Sequence, residues 1–169
     1  MVDLRTPPPP STGGRLVYAI GDVHGYAGAL RRLLEEIARD ARASRPAERP
    51  LLVFIGDYVD RGPDSRGVID AVIEAEAAGE FEVVALKGNH EEALDRFLDE
   101  PGYAPAWIGS WGQETLRSYG VEPPDAEDVL ACETARAKLA AAFPAAHRAF
   151  LRRLCLYRVE GDYVFVHAG

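Results

Sequence analysis

The chain is 169 residues long, enough for one domain with a single core, and 47% of it is hydrophobic. A net charge of −8 argues against nucleic acid or an anionic membrane as the main partner, because both repel an acidic surface. No run of ~18 apolar residues marks a transmembrane helix. Residues 1–14 also lack the apolar stretch of a secretory signal, so a cytoplasmic location is expected.

Residues 1–14 are rich in Pro, Ser and Gly toward their end and are expected to form a disordered leader, with the domain running from 15 to 169. The apolar run 16–20 reads as a buried strand. Leu30, Leu33, Leu34, Ile37 and Ala41 then fall on one helix face. A second buried strand is predicted over 51–55. A second helix, carrying Val68, Ile69, Val72 and Ile73, should end at Gly79, and a third strand over 81–86. This β-α-β-α-β order predicts an α/β fold with a largely parallel sheet. From 91 to 154 the pattern is helical, broken at Gly102, Gly120, Pro123-Pro124 and Pro144. The segments 156–160 and 163–166 read as a hairpin around Gly161-Asp162. Cys132 and Cys155 lie in apolar contexts and are expected to be buried free thiols. Arginine far outnumbers lysine and alanine is abundant, a composition of GC-rich bacterial genomes.

Each predicted strand ends in a polar cluster. They are Gly21-Asp22-Val23-His24-Gly25, Gly56-Asp57-Tyr58-Val59-Asp60-Arg61-Gly62, Gly88-Asn89-His90-Glu91 and His167-Ala168-Gly169. Ligands of open α/β sheets bind at the carboxyl ends of strands, so the four clusters are expected to converge. Asp22 and His24 can serve one ion, and Asp57 can bridge two through its two oxygens. Asn89 and His167 can serve the second ion. Mixed nitrogen and oxygen ligation suits Mn²⁺, Fe or Zn²⁺ better than Ca²⁺. Singly, each cluster is a common turn or helix start; their order and strand context together point to a dinuclear site. His147 shares a helix face with Phe150, Leu151 and Leu154 and reads as a packing residue rather than a ligand. Trp107, Trp111 and the Trp-Gly-Gln-Glu-Thr-Leu stretch read as a helix packing its aromatic face.

These four blocks, read as GDVHG, GDYVDRG, GNHE and HAG, resemble the phosphoprotein phosphatase branch of the calcineurin-like metallophosphoesterases, bacterial serine/threonine protein phosphatases above all. The resemblance spans 15–169 and implies two packed β-sheets flanked by helices. It implies a first metal on Asp22, His24 and Asp57 and a second on Asp57, Asn89 and His167. The two ions would be divalent, with Mn²⁺ first and Fe or Zn²⁺ as alternatives. It implies phosphate binding by Arg61, with Asn89 and His90 alongside, and His90 as the general acid oriented by Asp60. A hydroxide between the ions would attack phosphorus in line. The expected substrate is a phosphorylated protein or a small phosphoester. A segment with tryptophan, Glu-Thr-Leu and Tyr-Gly after GNHE also occurs in bacterial members of this branch.

The family pattern calls for a further histidine on the second metal and a further arginine on the phosphate, both C-terminal to the HAG block. The chain is therefore expected to be incomplete, lacking later strands of the second sheet. The edge of 163–166 is expected to be exposed and activity in isolation low. A symmetrical dinucleoside tetraphosphate hydrolase is the nearest alternative enzyme. Those enzymes more often carry Asp where this chain has Glu91. A catalytically incompetent interaction module is the alternative of another class.

Overall fold

In a computed structural model the structure describes residues 9–168. Three short strands, β1 (Val17–Ile20), β2 (Leu51–Phe54) and β3 (Glu82–Ala85), pair in parallel in the order β1-β2-β3. Parallel neighbours need crossovers. Helix α1 (Ala27–Ser44) supplies the first and α2 (Ser65–Ala78) the second. The central strand β2 is fully buried on both faces, which is why it reads as a continuous apolar run rather than an alternating one. Its Leu52 and Phe54 join the large core under the helices. Leu51 and Val53 join Leu86 in a smaller core, against which Val17, Val84 and Phe165 pack.

Phe165 belongs to an antiparallel hairpin, β4 (Tyr157–Glu160) and β5 (Tyr163–Val166), turning through Gly161-Asp162. The parallel sheet therefore lies between helices on one face and this hairpin on the other. The remaining helices are α3 (Asn89–Asp99), α4 (Ala104–Trp107), α5 (Gln113–Ser118), α6 (Val129–Ala142) and α7 (Ala145–Arg152). One π-helical turn, Ile108–Gly112, joins α4 to α5. Gly79 caps α2 in the left-handed region (φ 71°), and Asp64 caps its start by accepting the Gly67 N–H. No helix among the described residues is long and apolar enough to cross a membrane.

Three expectations need correction. Of the leader, residues 1–8 lie outside the described residues, but 10–12 are tied to the hairpin tip. Ser11 N–H donates to the Asp162 carboxylate at 3.0 Å, Asp162 N–H donates to Ser11 O at 2.9 Å, and Tyr163 Oη donates to Pro10 O. A polar hairpin turn offers unpaired groups that even a Pro-rich segment can satisfy. Leu33 stays exposed on α1, because the buried face runs through Ala27, Leu30, Ile37 and Ala41. Cys132 is buried as expected, but Cys155 is exposed. Its backbone is what the fold uses: its N–H donates to Ala85 O, and Lys87 N–H donates to its carbonyl. That extends the sheet beyond β3 and turns the thiol outward. Tyr157, Val159, Val164 and Val166, on the hairpin face away from the parallel sheet, are exposed.

An alternating ring of charges ties the hairpin to β3. Arg15 reaches Glu82 at 2.7 Å and Glu160 at 3.4 Å, and Arg158 reaches Glu82 at 3.0 Å and Glu160 at 2.8 Å. The hydrogen bond from Arg15 holds the Glu82 carboxyl below its ordinary value, and that from Arg158 does the same for Glu160. A carboxyl lowered in the folded state stabilises above its unfolded pKa, and the benefit is lost as pH falls through the lowered value. Acidification below about pH 4.5 should therefore lower the melting temperature. Replacing Glu82 with Gln should shrink that acid-induced loss while leaving most of the stability at neutral pH. Superimposable acid profiles for the two proteins would remove the ring from the stability of the hairpin.

Candidate metal centre and catalytic site

The polar clusters that end β1, β2, β3 and β5 meet at one edge of the sheet. The loop after β2 is the centre of the site and has an unusual backbone. Among the described residues the non-glycine positions with positive φ are His24, Arg45, Asp57, Asp60 and Arg61. Four of the five line the site, and residues in this region cost of order 1–3 kcal/mol each unless their surroundings hold them.

Glu91 supplies that hold. Its carboxylate is fully buried on the first turn of α3. One oxygen accepts the N–H groups of Asp57 and Gly88, both at 2.9 Å. The other accepts those of Tyr58 at 2.8 Å and Val59 at 3.3 Å. Burial pushes the Glu91 pKa up to about 7, against the opposing pull of these donors. The loops after β2 and β3 are thereby fastened to one side chain. Gly88 has to be glycine here, since a Cβ would sit 2.2 Å from Asp57 Oδ1.

Asp57 is then presented with its two oxygens facing different partners. Oδ2 lies 3.5 Å from His24 Nε2, and Oδ1 lies 3.4 Å from His167 Nε2. On the first side, His24 Nδ1–H donates to Val59 O at 2.9 Å, which leaves Nε2 as a bare lone pair. That Nε2 is buried without any hydrogen-bond partner, and the exposed Asp22 carboxylate lies 4.0 Å from it. On the second side, His167 Nδ1–H donates to Ile55 O at 3.0 Å, and its Nε2 lies 3.0 Å from Asn89 Oδ1. An orphaned imidazole lone pair on one side of a carboxylate, with an imidazole and an amide on its other side, is a donor set that cations would satisfy. Histidine ligands fixed by a backbone carbonyl at the other ring nitrogen are typical of metal sites. The donor set of carboxylate, amide oxygen and imidazole fits divalent transition metals.

His90 joins His24 and Asp57 in one candidate ligand group, and Asp22, Asp57 and His167 form another; within each, the ligand atoms lie within 4.8 Å of one another. His90 differs from the other histidines, because its Nδ1–H donates to the buried Asp60 carboxylate at 2.7 Å. Its Nε2 is 3.9 Å from Asp57 Oδ2 and 3.5 Å from the exposed guanidinium of Arg61. Burial alone would lower the His90 pKa. The hydrogen bond and charge of Asp60, with the charge of Asp57, outweigh it and hold the imidazole above its ordinary value.

All eight residues singled out from the sequence, Asp22, His24, Asp57, Asp60, Arg61, Asn89, His90 and His167, are thus gathered at this edge. His147 is elsewhere, buried on α7, where its Nε2–H donates to Asp70 and its Nδ1 accepts from Tyr119 Oη, each at 2.8 Å. Sequence reasoning missed Glu91 as a staple, using it only as part of the GNHE block and as a mark of substrate class. It also missed Thr115, Trp107 and Ser65, which surround Asp60. Trp107 is buried, with its indole N–H 3.3 Å from Asp60 Oδ2, whereas Trp111 is partly exposed with its ring 4.7 Å from that of His90.

A parallel β-α-β-α-β sheet with histidines, carboxylates and an asparagine gathered at its strand ends defines a metallophosphoesterase-type domain. Over residues 16–169 the chain matches the calcineurin-like phosphoesterase family, and it belongs to that family. It is 31% identical over 153 residues to a symmetrical bis(5'-nucleosyl)-tetraphosphatase of Aromatoleum aromaticum, covering 90% of this chain and 44% of that protein. It is 38% identical over 82 residues to serine/threonine-protein phosphatase 1 of Salmonella typhimurium, covering 48% of this chain and 32% of that one. Serine/threonine-protein phosphatase 2 of Escherichia coli is 29% identical over 117 residues, 69% of this chain and 47% of that one. The chain therefore spans less than half the length of these relatives. A crystal structure of a protein proposed to be a diadenosine tetraphosphatase shares the fold, with a TM-score of 0.52 at 22% identity, covering 95% of this chain and 52% of that one.

Replacing Glu91 with Gln puts an amide NH₂ against two backbone N–H donors whichever way it turns. Leaving buried donors unsatisfied should cost roughly 2–3 kcal/mol, a fall in melting temperature of roughly 4–12 °C for a domain of this size. Calorimetry of the two proteins checks this, and a shift below ~1 °C would mean that the loops hold themselves.

Proposed function

We propose that this domain is the catalytic part of a metal-dependent phosphomonoester hydrolase acting on phosphoserine and phosphothreonine in proteins. The observation that carries the reaction class is Asp57, with one oxygen 3.5 Å from His24 Nε2 and the other 3.4 Å from His167 Nε2; Asp22 groups with Asp57 and His167, and Asn89 Oδ1 lies 3.0 Å from His167 Nε2. Asp22, His24 and Asp57 would hold one divalent ion, and Asp57, Asn89 and His167 the other, with Mn²⁺ preferred and Fe or Zn²⁺ as alternatives. Such a pair, when bound, supplies a hydroxide at neutral pH and neutralises charge on the phosphoryl group.

The chain's own side chains do the rest. Arg61 offers a planar fork for the phosphoryl oxygens, and among the described residues it has no carboxylate partner to compete. Asn89 and His90 flank the same space. As the phosphorus–oxygen bond to the leaving group breaks, His90 gives its Nε2 proton to the departing oxygen while Asp60 holds Nδ1–H. This assigns His90 to the leaving group rather than to a metal, although it lies near Asp57. Its Nδ1 is committed to Asp60 and its Nε2 already faces Arg61, whereas His24 Nε2 has no partner at all.

A built proton donor supports an alkoxide leaving group, such as that of serine or threonine, which is too basic to depart unprotonated. Glu91 and the Trp-Gly-Gln-Glu-Thr-Leu segment support the same substrate class. A second reading, hydrolysis of dinucleoside tetraphosphates, rests on the name of the relative matched over 90% of this chain and on Trp111. Its partly exposed indole beside His90 could stack a nucleobase.

In the complete protein, activity should require Mn²⁺ or a similar ion and vanish on chelation. Asp57→Asn should abolish it, because one substitution weakens both ligand groups. His90→Asn should retain metal binding yet lower turnover on a phosphoserine peptide by about 10²-fold or more, with a much smaller loss on 4-nitrophenyl phosphate, whose leaving group needs no proton. Equal losses on both substrates would reassign His90. Faster release of nucleotides from diadenosine tetraphosphate than of phosphate from the peptide would favour the second reading.

A further inference from the structure

We propose that Thr115, supported by Ser65 and Trp107, is a positioning residue for catalysis, fixing the Asp60 carboxylate so that it holds His90 in line with the leaving group. The inference rests on the role given to His90 above.

Asp60 is fully buried, as are Ser65 and Thr115, and Trp107 is nearly so. Thr115 Oγ1 lies 2.7 Å from Asp60 Oδ1, and His90 Nδ1 lies 2.7 Å from Asp60 Oδ2, to which the Trp107 indole N–H also points at 3.3 Å. Hydrogen positions on the hydroxyls follow from the donors around them. The Asp60 N–H points at both Thr115 Oγ1 at 2.9 Å and Ser65 Oγ at 3.0 Å, so both oxygens act as acceptors toward it. A carboxylate cannot donate. The Thr115 proton therefore goes to Asp60 Oδ1, and the Ser65 proton, with Thr115 Oγ1 2.9 Å away, goes to Thr115. The chain of donors runs Ser65 to Thr115 to Asp60, and His90 donates to the same carboxylate from the other side. Both oxygens of Asp60 are engaged, its rotation is blocked, and His90 keeps its proton on Nδ1 with Nε2 facing Arg61 and Asp57.

The local structure is arranged to deliver this contact. Thr115 sits on α5 directly after the π-helical turn Ile108–Gly112, a departure from α-geometry often found at functional sites. Gly112 packs flat on the Trp107 ring, where a Cβ would lie 2.4 Å from its atoms. The turn thus brings Trp107 and Thr115 to the same carboxylate from two sides. A threonine serving only to fill space at this point would be replaceable by valine.

The test compares Thr115→Val, which keeps the shape and loses the hydroxyl, with Thr115→Ser, which keeps the hydroxyl. Trp107→Phe serves as a further variant at the other oxygen. In proton NMR of the metal-free chain, the His90 Nδ1–H should give a downfield resonance that is assigned by its loss in His90→Asn. It should persist in Thr115→Ser and be lost or shifted upfield in Thr115→Val. In the Mn²⁺-loaded protein, Thr115→Val should lower kcat on a phosphoserine peptide by about 10- to 100-fold, with KM little changed. Turnover of 4-nitrophenyl phosphate should fall by less than about threefold, and Thr115→Ser should restore the peptide activity. An unchanged NMR resonance in Thr115→Val, equal losses on both substrates, or no rescue by serine would overturn the proposal. If the complete protein, carrying the segment that follows this domain, hydrolyses neither substrate, the function assigned above fails, while the NMR comparison still decides whether Thr115 holds the Asp60–His90 pair.

Discussion

The site depends on one buried carboxylate that touches no substrate. Glu91 accepts four backbone N–H groups from the loops after β2 and β3, next to the residues proposed for metal binding and for catalysis. Without it, the N–H groups of Asp57, Tyr58, Val59 and Gly88 would be buried with no acceptor, at a cost of roughly 1–3 kcal/mol each. With it, the loop after β2 can sustain positive φ at Asp57, Asp60 and Arg61. That conformation turns Asp57 toward the histidines, Asp60 inward toward Thr115 and Trp107, and Arg61 outward. The strain is local, and the stabilisation comes from a residue 34 positions later in the chain than Asp57.

Much of this was legible in the sequence because it depends on order and local pattern. The apolar runs, Gly79 as a cap and Gly161-Asp162 as a turn are local features, and β-α-β-α-β leaves few topologies open. Strand ends in a parallel sheet lie side by side, so ligand-type residues at successive ends were bound to converge. The parts that were not legible depend on distant pairing. Nothing in the neighbourhood of Thr115 says that its hydroxyl meets Asp60 across 55 positions. Cys155 looked buried because its neighbours are apolar, yet its backbone is what the sheet recruits. Residues 10–12 looked unable to pack, and they are held by the hairpin tip, which no local pattern reveals. The two tryptophans read alike in sequence, but a π-helical turn sends Trp107 into the core and leaves Trp111 beside His90.

The two halves of the site are built differently. The half proposed to hold metal rests on backbone carbonyls, with Val59 O and Ile55 O each fixing one imidazole so that its other nitrogen faces Asp57. The proton-donor half rests on side chains, through Asp60, Thr115, Ser65 and Trp107. The first arrangement tolerates sequence change in the supporting residues, since any residue has a carbonyl. The second does not, because it needs particular side-chain donors at Thr115, Ser65 and Trp107. The relatives bear two substrate names, bis(5'-nucleosyl)-tetraphosphatase and serine/threonine-protein phosphatase.

The central proposal is that, in the complete protein, Asp57 would help hold two cations. Electron paramagnetic resonance during a Mn²⁺ titration tests it most directly, since ions roughly 3.5–4 Å apart couple magnetically. At saturation the unaltered protein should show the signal of a spin-coupled Mn²⁺ pair, and Asp57→Asn should show none. A saturated protein that gave only the six-line spectrum of isolated Mn²⁺ would contradict the bridge and leave Asp57 serving a single ion.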